Sequence, residues 1–149
     1  MKRILVIEDG SEYEEFARLF LSVTFALEAA HSLGEALRAL GNTRFDGFLI
    51  DLRFDRASEA ELTGDVGETA DRLFAGDRGE AVRYLKDHQG VLILAALRAA
   101  GHRQPAVFVH DFPKRQLDNL VSLYGAVSAV PSFDAAAIRR RLEASTSDG

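Results

Sequence analysis

Five short apolar runs set the limits of what this chain can fold into: ILVI, FALEAA, GFLI, AVFV and AVSAV, each bounded by polar or turn residues. The stretches between them carry apolar residues at helical spacing. Brief, largely apolar runs predict strands buried on both faces, and therefore a parallel sheet whose crossover helices cover both sides. Strands alternating with helices in this way define an α/β architecture. Helix starts are marked as well. Glu14 follows Ser11 by three residues and Glu35 follows Ser32 by three, so both pairs predict capping boxes. Gly41, Gly101 and Gly125 come after helical stretches and predict left-handed helix ends.

With 149 residues and 47% hydrophobic content, the chain can bury one domain-sized core. The absence of cysteine excludes disulfides, thiolate metal sites and a cysteine nucleophile, and suits a reducing cytoplasm. The apolar run in MKRILVI is too short for a signal peptide, and no stretch reaches the roughly 20 apolar residues of a membrane span. A soluble, cytoplasmic protein with no membrane partner is expected. A net charge of −5 argues against nucleic acid, which needs a clustered basic surface. The one basic cluster, Arg139 to Arg141, reads as a solvated helix end. His31, His88 and His102 are scattered and suggest no zinc site.

Two of the apolar runs end on acids: VIEDG on Glu8 and Asp9, FLIDLRFD on Asp51. In open α/β sheets ligands bind outside the carboxyl ends of the strands. Taken alone, either acidic site could instead be a solvated strand end or a cap for the following helix.

KRILVIEDG, FDGFLIDL, GVLILAALRAAGHRQPAVFV and YGAVSAV, in this order and spacing, resemble the response-regulator receiver domain of two-component signalling over nearly the whole chain. The resemblance implies a flavodoxin-like, doubly wound five-stranded parallel sheet of order 2-1-3-4-5 spanning residues 1–144, with 145–149 as a disordered tail. It makes Asp51 the phosphoacceptor. It also implies a magnesium ion held directly by Asp9 and Asp51, by the backbone carbonyl of Arg53, and through water by Glu8. The chemistry is consistent: converging carboxylates repel by about 4 kcal/mol per close pair at an effective dielectric near 20, and magnesium is a hard, oxygen-seeking cation. In phosphoryl transfer such an ion neutralises charge on the group in flight. No organic cofactor is implied.

The pattern then departs from the family. The Ser/Thr that binds a phosphoryl oxygen falls on His110, the aromatic switch position on Ala129, and the phosphoryl-contacting lysine on Ser132, or on Pro131 if the alignment shifts by one. The proline usual after the phosphoacceptor is replaced by Asp55. A protonated His110 would offer two donors, but a neutral packed side chain is the expectation for a strand-end histidine. Without the lysine, magnesium should bind weakly. Arg53, Arg56 and Lys114 lie on loops around the pocket and are candidate replacements for the metal's charge, each with a solvated loop charge as the plainer alternative.

An inserted segment is expected at about residues 54–87. From Ala57 to Asp71 it carries Glu59, Glu61, Asp65, Glu68 and Asp71 with no base, which predicts a mobile acidic loop suited to a basic partner. Ala81, Val82, Tyr84 and Leu85 predict a short added helix ending near Gly90. The segment could cover the pocket, bind a partner, or do neither. The function expected is that of a stand-alone, atypical receiver that works through contacts with signalling proteins, a histidine kinase or a downstream partner, with impaired or absent phosphorylation switching. One alternative is a working receiver modified on Asp51. Another is a magnesium-dependent phosphoryl-transfer enzyme, although no aspartate stands two residues after Asp51 or Asp9. Beyond self-phosphorylation, no enzymatic activity is expected. Oligomeric state is left open.

Overall fold

A computed structural model describes residues 1–144, so the expected tail at 145–149 lies outside the described residues. The elements run β1 (Lys2–Ile7), α1 (Glu12–Phe20), β2 (Phe25–Ala30), α2 (Leu33–Asn42) and β3 (Gly47–Ile50). A 3₁₀ turn (Glu59–Glu61), α3 (Val66–Leu73), α4 (Arg78–Asp87) and α5 (Gln89–Ala99) follow. The chain closes with β4 (Ala106–Val109), α6 (Lys114–Tyr124), β5 (Val127–Val130) and α7 (Ala135–Ala144). All five strands are parallel, in the order β2-β1-β3-β4-β5.

The unbroken apolar runs follow from burial on both faces. Ile4, Val6, Leu49 and Val107 face α1 and α7, where they meet Ala17, Leu21, Ile138 and Leu142. Their neighbours Leu5, Ile7, Phe48, Ile50 and Phe108 join a second core with Phe45, Ile93, Leu97 and Leu120 on the opposite face. This order reverses direction between β1 and β3, so the crevice at their carboxyl ends is the switch point. Glu8, Asp9 and Asp51 follow those two strands directly.

Several helix ends differ from expectation. Ser32 accepts from the Glu35 N–H (3.1 Å), while the Glu35 side chain reaches the N–H of His31 rather than that of Ser32. At α1 the Ser11 side chain makes no cap bond; Glu8 supplies the cap instead. Gly101 and Gly125 adopt positive φ, but Gly41 lies inside α2. Of the basic cluster, Arg139 donates to the Phe20 carbonyl and so ties α7 to the end of α1.

The expected acidic loop is a correction: Ala57 to Asp71 contains the 3₁₀ turn and most of α3. Its acids sit where helices favour them. Asp65 accepts from the Glu68 N–H (3.0 Å) and opens α3, and Asp77 accepts from the Glu80 N–H (3.1 Å) and opens α4. Ala57, Leu62, Thr69, Ala70, Ala81 and Leu85 are buried. Buried Gln89 clamps the segment: its Oε1 accepts from the Thr63 N–H (2.6 Å) and its Nε2 donates to the Thr63 carbonyl (3.1 Å). Gly90, expected to stop a helix, lies inside α5. There its N–H donates to Leu52 O, and any side chain would collide with the carbonyl of Asp51.

Candidate functional site

At the carboxyl end of the sheet, Asp9, Glu12, Tyr13, Asp51, Arg53, Asp55 and Arg56 line an open cavity of about 210 Å³. Asp51 leaves β3 one residue past its last ladder position, with its N–H donating to Ile7 O. The flexure of the following loop brings the Arg53 N–H back to Asp51 Oδ1 (3.3 Å). The Asp51 carboxyl is pushed up to about 7, mainly by burial and further by the charges of Asp9 and Glu8. The Arg53 N–H and the Tyr13 hydroxyl pull the other way.

Glu8 stands beside the site but does not line the cavity. It is fully buried, and its two carboxylate oxygens accept from the Tyr13 (3.0 Å) and Glu14 (2.7 Å) backbone N–H groups. These are orphan donors of the first turn of α1, and a carboxylate there also meets the positive end of the helix dipole. Burial still pushes the Glu8 carboxyl upward.

Arg56 closes the cavity from the side. Its N–H donates to Asp9 Oδ2 (2.6 Å), and its guanidinium donates to Glu12 Oε1 (2.6 Å). The guanidinium lies against Gly10, where a Cβ would strike it. The pairing holds the Glu12 carboxyl below its ordinary range and raises Arg56. Arg53 also lines the cavity. Lys114 does not: it is exposed on α6 and pairs with Asp118 one turn on (2.6 Å), so it is not a cation of this pocket.

Magnesium fits these residues poorly. Asp9 has given one carboxylate oxygen to the Arg56 backbone, Glu8 has given both of its oxygens to α1, and two arginines line the cavity. Among the described residues no group of three acidic or histidine side chains is placed to hold a metal ion.

The three departures from the receiver pattern are placed as follows. His110 follows β4 with its N–H on Val130 O and its ring edge-on to Phe112 at 4.6 Å. Burial, with Arg53 nearby, lowers its pKa, so the ring is neutral at neutral pH. Ala129 sits within β5 opposite Phe108. Ser132 is exposed on the loop before α7, its carbonyl accepting from the Asp134 N–H. None of the three lines the cavity.

Tyr13 is the residue that sequence reasoning passed over. From the first turn of α1 its hydroxyl reaches across the cavity and donates to Val109 O at the end of β4 (3.2 Å). The same hydroxyl shares the cavity with the Asp51 carboxylate. Burial and the Asp51 charge push the phenol well above its ordinary range, so it keeps its proton.

This sheet order and helix placement define the class as the CheY-like fold, a flavodoxin-like doubly wound sheet. Solved structures bear this out. A response regulator receiver domain protein from Methanospirillum hungatei aligns over 100% of this chain and 99% of its own, with a TM-score of 0.62 and 15% identity. A receiver domain protein from Clostridium thermocellum gives 0.64 over 99% and 96% at 15% identity. A sensor protein from a Polaromonas species gives 0.65 over 99% and 97% at 18% identity. No protein-family model and no curated protein sequence matches the chain.

Proposed function

We propose that this chain is a receiver-type signalling module, working through contacts with other signalling proteins, in which Arg56 supplies the cation of the acidic pocket. The observation that carries this reading is the Arg56 bridge, with its backbone on Asp9 and its guanidinium on Glu12. It neutralises the crevice from within the chain and occupies an oxygen that a metal would need. Asp51 is partly exposed at the cavity, which supports reading it as the acceptor. In that role one of its carboxylate oxygens attacks phosphorus and forms an acyl phosphate P–O bond. The donor's own bond to phosphorus breaks, and its leaving group departs with the electron pair. The positions that would report this by the family's route, His110, Ala129 and Ser132, do not reach the cavity, so phosphorylation is a weak switch of the β4–β5 side. The partners are histidine kinases or downstream proteins, and no catalytic turnover of a phosphoester is part of this reading.

The test is labelling by a small acyl phosphate or phosphoramidate, with and without magnesium, followed by intact mass. Substoichiometric labelling, lost in Asp51→Asn and little changed by magnesium, is the expected result. Arg56→Ala should raise magnesium affinity about tenfold by removing a competing cation and freeing Glu12, while the residue-56 backbone N–H stays on Asp9. Rapid, stoichiometric, magnesium-dependent labelling of the parent would refute the reading and identify a working receiver. Multiple turnovers of donor would identify an enzyme.

A further inference from the structure

The hydroxyl that the receiver pattern places at the end of β4 is missing at His110, yet a hydroxyl is present between the ends of β3 and β4. It belongs to Tyr13. The phenol crosses from α1, bonds the carbonyl of Val109, the residue just before His110, and lines the same cavity as Asp51. We propose that Tyr13 is the positioning residue of this site, its hydroxyl donating to the oxygens borne by Asp51, so that a change at Asp51 is passed to α1. The inference rests on the reading of Asp51 as the centre of the site.

The argument is one of donor counting. A phenol carries a single proton, and here two acceptors compete for it, the neutral Val109 carbonyl and the Asp51 carboxylate. A charged acceptor makes the stronger bond. Whatever increases the negative charge at Asp51 draws the hydroxyl towards β3 and loosens it from β4; whatever removes that charge returns it to Val109. No other side-chain hydroxyl lines the cavity among the described residues.

Movement of the phenol has somewhere to go. The Tyr13 ring meets Phe133 edge-on at 4.9 Å, Phe133 meets Phe16 at 4.7 Å, and Phe16 meets Phe20 at 5.1 Å. These four rings connect the cavity to the outer end of α1 and to the loop before α7. They lie on the opposite side of the sheet from the core that contains Ala129. The aromatic absent from β5 thus has its counterpart on α1.

The chain holds three tyrosines, so a sample labelled with ¹³C at tyrosine Cζ gives few, separable signals. The probes are Asp51→Ala, which removes the acceptor, and beryllofluoride, a phosphoryl mimic whose adduct is seen directly by ¹⁹F resonance. The Tyr13 Cζ signal should shift in Asp51→Ala and again, in the parent, when the adduct forms, while Tyr84 and Tyr124 stay in place. Tyr13→Phe keeps the ring and its Phe133 contact, and should lower beryllofluoride affinity about tenfold, the low end for a hydrogen bond to a charged group. A Tyr13 signal unmoved by Asp51→Ala, or an adduct that forms without moving it, overturns the assignment. If no adduct forms in the parent but Asp51→Ala moves Tyr13, the acceptor reading of Asp51 fails and the coupling of Tyr13 to Asp51 stands.

Discussion

Replacing Asp51 with Asn removes a charge from a place where the fold disfavours it, and the protein should become more stable as a result. Burial and the charges of Asp9 and Glu8 push the Asp51 carboxyl from 3.8 up to about 7. A difference of about three units, at 1.36 kcal/mol each, sets a ceiling of about 4 kcal/mol. The cavity is open to water, and screening reduces this to about 1–2 kcal/mol. The sign follows from linkage. Because the folded-state pKa is raised, its contribution to stability is fully present below about pH 3.8 and is lost as the pH rises through about 7. Asn has no such titration, and its amide oxygen can still accept from the Arg53 N–H. Urea denaturation of parent and variant, in chelator, at steps between about pH 4 and pH 8, measures the difference directly. The curves should nearly coincide near pH 4 and separate by about 1–2 kcal/mol in favour of Asn above about pH 7.5. A gap that is flat with pH, or a parent that is the more stable at about pH 8, would refute the reasoning.

Two further outcomes concern the frame around the site. Gly90→Ala places a methyl against the Asp51 carbonyl and should cost about 1–3 kcal/mol while shifting the Asp51 amide resonance; a loss under about 0.5 kcal/mol would show that α5 gives way freely. Gln89→Ala leaves both backbone polar groups of Thr63 without their partner and should cost about 2–4 kcal/mol, with faster amide exchange at Thr63, as read by denaturation and hydrogen exchange.

The strands could be read from the sequence because burial on both sides leaves little choice of residue, so GFLI and AVFV mark β3 and β4 to the residue. Helix α3 escaped because its acids were counted as charge rather than placed by position. Asp65 with Glu68 and Asp77 with Glu80 repeat the spacing of Ser32 with Glu35, and each opens a helix. That Asp9 and Asp51 stand at the carboxyl ends of β1 and β3 and line one cavity could be anticipated from the strand ends. The direction of Glu8 could not, because it depends on how the first turn of α1 presents its free N–H groups. Tyr13 was beyond reach for a similar reason: its hydroxyl meets β4, a partner 96 residues away, and no local pattern encodes that meeting.

The docking of α3 and α4 bears on how fast and how selectively this region could meet another protein. Phe54 N–H on Lys86 O ties α4, and Gly90 N–H on Leu52 O ties α5, to the main chain beside Asp51, while Gln89 holds the loop before α3. A surface assembled in advance loses little conformational entropy on association, so a complementary partner need not wait for a loop to order. Shape, rather than net acidity alone, then decides what fits.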